Sequence, residues 1–331
     1  MIEEELRAAL AAQLDGLSPR QAAGAVERLM SHYRGRTRPG TPLLRDAADA
    51  AAYAAYRMPA TFGAVAAALG ELAARVPGWA PADHLDVGGG TGAAVWGAAA
   101  VWGESSGTPA PRSTQVLDWA GPALELGGRL AAASRSGAVR GAEWRRGEVP
   151  GERLPGAQLV TVSYVLGELA DGDRAAVVDA AAGAGRAVVL VEPGTPDGYL
   201  RIIDARDRLV AAGLRVVAPC PHSGRCPLVP GEDWCHFGVR VPRSSIHRRV
   251  KGGELPYEDE KFSYVAAVVP ELAEEPGPAR IIRRPQLPKG QVLLDLCTPE
   301  DGARRTTVTK RHGDAYRAAR RAAWGDAWPH R

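Results

Sequence analysis

From residue 84 onward, short apolar runs alternate with Ala- and Leu-rich stretches of helical period. HLDVG (84–88), TQVLDW (114–119), AEWRRG (142–147), QLVTVSYV (158–165) and AVVLVEP (187–193) predict five strands. Apolar strands separated by helices imply a parallel sheet covered on both faces. CHFGVRV (235–241) and FSYVAAVVP (262–270) predict two closing strands. Ahead of them, residues 2–77 read as helices. Ser18-Pro19 with Gln21 has the form of an N-cap, a first-turn proline and a capping-box partner. Ala-rich helical runs follow over 43–57 and, beyond Pro59, over 60–75. After EEPGP (274–278), the runs ARIIRR, QVLLDL and RTTVTK predict a small β domain, and AYRAARRAAWGDAW a basic helical tail. The expected organisation is a helical region (1–78), an α/β domain (79–272) and a basic C-terminal β domain with its tail (273–331).

Composition adds limits. The 331 residues are 45% hydrophobic and 24% charged, as in ordinary globular proteins. No run is apolar enough to span a membrane. The start, MIEEELRAAL, lacks the basic-then-apolar order of a secretory signal and the Arg-rich character of a transit peptide. The expectation is therefore a cytoplasmic protein with reduced thiols, where clustered cysteines bind metal more often than they form disulfides. Charge is polarised along the chain. Residues 277–331 hold 12 Lys and Arg against 5 Asp and Glu, whereas the whole chain is only +3. A basic pole of that kind suits phosphate neutralisation, and equally a solvated basic face.

DVGGGTG (86–92) stands where the first strand hands over to a helix. Glycines there permit positive φ and close approach of a ligand to the backbone. Asp86 precedes the loop, and Asp118 ends the next strand, where a carboxylate can accept hydrogen bonds from a ribose diol. Trp119 beside it can stack on an adenine or serve the core. Gly88, Gly90 and Gly92 fit Asp-x-Gly-x-Gly-x-Gly, which resembles the first motif of class I S-adenosylmethionine-dependent methyltransferases. That resemblance implies a Rossmann-like α/β fold with the cofactor on Asp86, Gly88, Gly89, Gly90, Gly92, Asp118 and Trp119. A nicotinamide-dinucleotide domain competes, but Gly-x-Gly-x-x-Gly is absent. SYVLGEL (163–169) shows no base-gripping motif of an amino methyltransferase, and no cysteine nucleophile lies in this region. Glu168 and Glu192 are the carboxylates near the strand ends, and the catalytic residues stay unassigned.

Three of the four cysteines fall in CPHSGRCPLVPGEDWCHF (220–237), and the fourth is Cys297. Cys220, Cys226 and Cys235 are spaced C-x5-C-x8-C, without the close C-x2–4-C pair usual in structural zinc sites. Wide spacing and the Cys-Pro pairs suit an iron–sulfur cluster held by four thiolates. Zinc with His222 or His236 as a ligand remains an alternative, as do isolated core cysteines.

This stretch, with YEDEKFSYVAAV (257–268), TKRHGDAYRAARRAAWGD (309–326) and YAAYRMPATFGAV (53–65), resembles the ribosomal small-subunit-associated methyltransferase-like family. The resemblance covers most of the chain, in a shorter, bacterial-type form without a transit segment. It implies a methyltransferase fold carrying a [4Fe–4S] cluster on Cys220, Cys226, Cys235 and Cys297. It also implies an assembly factor on the small ribosomal subunit without evident methyl transfer; a monomer away from membranes is expected. Arg280, Arg283, Arg284, Lys289, Arg304, Arg305, Lys310 and Arg311 are then the expected rRNA contacts. The alternative is an active S-adenosylmethionine-dependent rRNA methyltransferase with a structural metal site.

Overall fold

The computed structural model describes residues 1–14, 24, 46–103, 111–148, 153–243, 255–273, 277–300 and 302–328. Two compact units divide the chain. One gathers residues 1–69, 80–163 and 239–260, and the other 70–79, 164–238 and 261–331.

In the first unit, β1 (Asp83–Val87), β2 (Ser113–Asp118), β3 (Glu143–Arg146) and β4 (Ala157–Ser163) lie in the order β3-β2-β1-β4. All three pairings are parallel, so the chain must cross over between strands, and helices lie on the links from β1 to β2 and from β2 to β3. After β1 comes α3 (Ala93–Trp102), preceded by α1 (Ile2–Leu14) and α2 (Ala47–Arg75), and after β2 comes α4 (Gly121–Ala132). Residues Ala93 to Ala99 of α3 are all buried, as expected of a helix that is apolar on every side. A Cβ added at Gly97 would come within 3.2 Å of the Val65 side chain and 3.4 Å of the Ala66 nitrogen. Small residues thus let α3 cross α2 closely. Leu6, Ala9 and Leu10 of α1 complete this core.

Pro59 does not divide α2, contrary to the two helices expected on either side of it. An interior proline costs a hydrogen bond and about 3 kcal/mol. Met58 and Phe62 on one side and Ala60 on the opposite side are all buried, and that burial around the proline outweighs the local penalty. The N-cap expected at Ser18, Pro19 and Gln21 lies outside the described residues.

In the second unit, β5 (Gly185–Pro193) and β6 (Arg215–Ala218) both pair antiparallel with β8 (Tyr257–Val268). The helices here are α5 (Asp171–Ala184) and α6 (Pro196–Ala211), while β7 (Phe237–Pro242) precedes β8. The four-residue β6 is absent from the expected strands, because RVVA is too short to show a period. The chain has the Rossmann-like α/β fold of class I methyltransferases: a parallel half in doubly wound order, and an antiparallel strand bonded to both β5 and β6.

A separate antiparallel sheet runs β11-β10-β9-β12, from β9 (Ala279–Ile281), β10 (Gln291–Thr298), β11 (Gly302–Thr309) and β12 (Ala327–Trp328). Val292, Leu294 and Leu296 alternate along β10 and pack on Ile281, Val308 and Ala319. The basic tail is not one helix as expected. α7 covers only Asp314–Ala319. Gly325 then takes φ 99° and donates its N–H to Ile281 O, while Ile281 N donates to Asp326 O, turning the chain back as β12.

Candidate cofactor loop and candidate metal centre

At the end of β1 the backbone turns through Gly88, Gly90 and Gly92, with φ of 66°, 53° and 82°. Gly89 has no such φ, yet a Cβ there would fall 2.4 Å from Asp86 Oδ2 and 2.7 Å from Val116 Cγ1. The loop amides are directed inward. Gly88 N donates to the Leu117 carbonyl at 2.7 Å, and Gly90 N to Asp118 Oδ2 at 2.8 Å. Asp118 Oδ1 accepts from Ala120 N at 2.7 Å. With a further backbone bond from Trp119, three of the roughly four lone-pair positions of the Asp118 carboxylate are used, leaving capacity for one more donor.

Asp86 is buried beneath the loop. Thr161 Oγ1 donates to Asp86 Oδ1 at 2.7 Å and must then accept from His84 Nε2, also 2.7 Å away. This relay places the His84 proton on Nε2. Burial holds His84 neutral, with its pKa lowered to about 3. Burial, reinforced by the Asp118 charge and opposed by the Thr161 bond, raises Asp86 to about 7. Asp86 Oδ2 is buried with no partner among the described residues. Positive-φ glycines, a cradle that a Cβ would fill and an orphaned carboxylate oxygen together fit a ligand carrying amine and hydroxyl donors. Trp119 is 48% exposed beside it.

The segment after β4 differs in character. Tyr164 sits at φ 61°, and its N–H donates to Val191 O at 2.7 Å. Glu192 is almost fully buried, accepting from Arg201 Nε at 2.7 Å and from Leu166 N at 3.0 Å. Burial raises its pKa, against the opposing pull of Arg201. With its oxygens tied to Arg201 and a backbone amide, Glu192 is an anchor for the turn rather than an available base. Glu168 lies exposed on that turn.

The four cysteines come together. Cys220, Cys226 and Cys235 lie on the loop between β6 and β7, and Cys297 lies on β10, paired in register with Arg280. All four line one cavity, which Tyr199 and Arg206 of α6 help to close. Tyr199 Oη is 3.4 Å from Cys226 Sγ, and His222 Nε2 is 3.8 Å from Cys297 Sγ. Burial raises the Cys220 and Cys235 thiols, and pushes Cys297 up to about 12. Neighbouring thiolates raise Cys235 and Cys297 further. His236 is packed between Trp234, at 5.2 Å between ring centroids, and Trp324, at 4.8 Å. Among the described residues, no group of three or more His, Cys, Asp or Glu is arranged to hold a single metal ion.

Loop shape is fixed by polar ties. Ser263 Oγ donates to Cys235 O at 2.8 Å, Arg280 Nε to Pro219 O at 3.2 Å, and Arg283 to Asp233 and to Trp234 O. Tyr199, Arg206 and Ser263 are absent from the residues expected on sequence grounds. Tyr199, Ile202, Ile203 and Arg206 recur along α6 at helical spacing, and that stripe is the available signal.

The basic residues of the C-terminal region separate into two sets. Arg283, Arg284, Arg304 and Arg305 line an open groove of about 570 Å³ together with Asp233, Asp295 and Gln286. Arg305 is ion-paired to Asp295 at 2.8 Å, and Lys289, Lys310 and Arg311 are exposed. Arg280 is corrected. It is 4% exposed and spends its donors on Pro219 O, Glu71 and Gly325 O, so it cannot meet RNA phosphates.

No helix among the described residues is long and apolar enough to cross a membrane. The family described as mitochondrial small ribosomal subunit Rsm22 matches residues 47–329. The human mitochondrial ribosome assembly protein METTL17 is 32% identical over 300 residues, covering 84% of this chain and 62% of its own length. Rsm22-cox11 tandem protein 2 of Schizosaccharomyces pombe, also mitochondrial, is 30% identical over 188 residues, 44% of this chain and 25% of its own. This chain therefore spans less than two thirds of the curated relatives it matches. Among solved structures, the magnesium protoporphyrin IX methyltransferase of Synechocystis aligns over 73% of this chain and 92% of its own, at TM-score 0.40 and 12% identity. A TehB-like methyltransferase of Corynebacterium glutamicum aligns over 76% and 100%, at TM-score 0.37 and 13% identity. The expected cytoplasmic location is corrected by these relatives, whose designations are mitochondrial. The acidic start on which it rested does not by itself decide a compartment. Over the greater part of its length, this chain is a member of the Rsm22 family of mitochondrial small ribosomal subunit proteins.

Proposed function

We propose that this chain is an assembly factor that binds rRNA of the small ribosomal subunit. The groove lined by Arg283, Arg284, Arg304 and Arg305 carries the reading, since these four cations outnumber the two aspartates that share it. Such an excess attracts a phosphate backbone by releasing its counterions. The human relative's designation as a ribosome assembly protein supports the same class of partner.

Two groups are implied beside the RNA face. S-adenosylmethionine would rest on Gly88, Gly89, Gly90 and Gly92, with Asp86, Asp118 and Trp119 around it; it would supply an electrophilic methyl group. A [4Fe–4S] cluster would be held by Cys220, Cys226, Cys235 and Cys297. The donor set fits: four thiols line one cavity, with no acidic residue on its wall among the described residues. A zinc ion draws its sulfurs to within about 2.3 Å of one point. A [4Fe–4S] cluster is instead held by four cysteine thiolates, the number that line this cavity.

The test is binding of purified small subunits as a function of salt. Replacing Arg284, Arg304 and Arg305 of the groove together by alanine should weaken binding and lower the log–log salt slope by about 0.7–0.9 for each phosphate no longer neutralised. An unchanged slope would remove the RNA-binding reading. Stoichiometric transfer of labelled methyl from S-adenosylmethionine to one nucleotide would instead establish the methyltransferase alternative.

A further inference from the structure

Arg206 lies on the face of α6 that closes the cysteine cavity. The residue is 1% exposed, and a guanidinium so deeply buried is costly unless its donors are used. One terminal nitrogen donates to Asp207 at 2.9 Å, and the other to His222 O at 3.1 Å and to Gly224 O. Those two carbonyls belong to the segment between Cys220 and Cys226, so the side chain clamps the loop that carries both thiols. Nε is buried and has no partner among the described residues. A leftover N–H beside a cavity of thiols is a donor lacking only its acceptor. Cys220 is close enough for the guanidinium to act on it by charge and hydrogen bonding.

The cavity's second buried guanidinium, Arg280, is differently placed. Its Nε is spent on Pro219 O, and its charge is met by Glu71. Asp207, the ionic partner of Arg206, has its side chain 64% exposed to water, which screens it. Arg206 is thus the buried cation with both charge and a donor to spare.

Building on the cluster reading above, we infer that Arg206 is a positioning residue of the metal centre, donating Nε–H to the Cys220 sulfur and holding the Cys220–Cys226 loop in ligating shape. A four-thiolate cluster carries net negative charge, and each added electron increases it. Buried positive charge and hydrogen bonds to sulfur both favour the reduced state and slow loss of the cluster.

The experiment compares the full-length wild type with Arg206→Gln, Arg206→Lys and Arg208→Gln, all purified anaerobically. Arg208 is on the same helix but pairs with Asp179 and Asp204 at the surface, so its variant removes equal charge away from the cavity. The readouts are reduction potential, by dye-mediated titration of visible absorption, and the rate of iron loss to a chelator. Arg206→Gln should have a more negative potential and lose iron about tenfold faster, the lower end of the range for outer-shell partners. Arg206→Lys, keeping charge without the Nε donor, should fall between it and the wild type, and Arg208→Gln should match the wild type. Should Arg206→Gln fail to fold by circular dichroism, Arg206→Lys decides alone. Wild-type potential and iron-loss rate in the Arg206 variants would overturn the inference. A wild type recovered without iron and sulfide would instead overturn the cluster reading and take this inference with it.

Discussion

Asp86 shows how one buried side chain can bind the fold to pH. Its carboxyl titrates near 7 in the folded chain, because burial disfavours the charged form more than the Thr161 bond favours it. In the unfolded chain it titrates near its ordinary value of 3.8. Between those values the folded state binds the extra proton, so stability falls as pH rises. The contribution is fully present below about 4 and lost by the time pH passes about 7. Asp86→Asn stays neutral throughout and keeps an acceptor for Thr161. Denaturant midpoints measured from pH 4 to 8 should therefore fall with pH in the wild type and fall less steeply in the variant. Parallel curves would mean that Asp86 is not the titrating group. The same residues explain why the loop was legible in the sequence. Glycines at 88, 90 and 92 are required by positive φ, and the acids at 86 and 118 occupy strand ends. What could not be read was that Asp118 also caps the loop amide of Gly90, because that bond joins residues 28 positions apart.

At the scale of elements, the strands announced themselves. HLDVG, TQVLDW, QLVTVSYV and AVVLVEP are apolar enough to be largely buried, and the observed β1, β2, β4 and β5 begin within two residues of the expected positions, whereas the charged β3 is mostly exposed. Elements were misjudged where tertiary pairing competed with local propensity. Ala- and Arg-rich residues 320–328 favour helix, yet the chain gains strand pairing with β9 and the seat of Trp328 in the small core. Pro59 is the reverse case, a strong local breaker overruled by burial along α2. Pro59→Ala restores a donor facing the Ala55 carbonyl without disturbing the buried neighbours. It should raise stability by about 1 kcal/mol, measured as a higher urea midpoint at unchanged slope. A lower midpoint would show that packing depends on the proline itself. Register explains the cysteine on β10. After the alternation of Val292, Leu294 and Leu296, both Cys297 and Thr298 are buried, so the strand end presents Cys297 to the cavity.

For the molecule as a whole, the consequence lies in chain connectivity. Three candidate ligands sit on one loop, whereas Cys297 comes from a sheet formed some 60 residues later in the chain. Cysteine count and spacing suggested a shared centre; only folding brings Cys297 to the loop, and nothing in local sequence could show that. A metal held by all four would make its binding energy part of the folding energy of the C-terminal sheet. It would also fix Arg283, which is bonded to Asp233 and Trp234 of the cysteine loop, at the edge of the basic groove. The most direct measurement is the iron and acid-labile sulfide content of anaerobically purified full-length protein, beside Cys297→Ser. The account predicts about four iron and four sulfide per wild-type chain, the composition of a cluster with four thiolate ligands, and a large loss of both in the variant. One zinc per chain without sulfide, or a Cys297→Ser protein with its full complement of iron and sulfide, would contradict it.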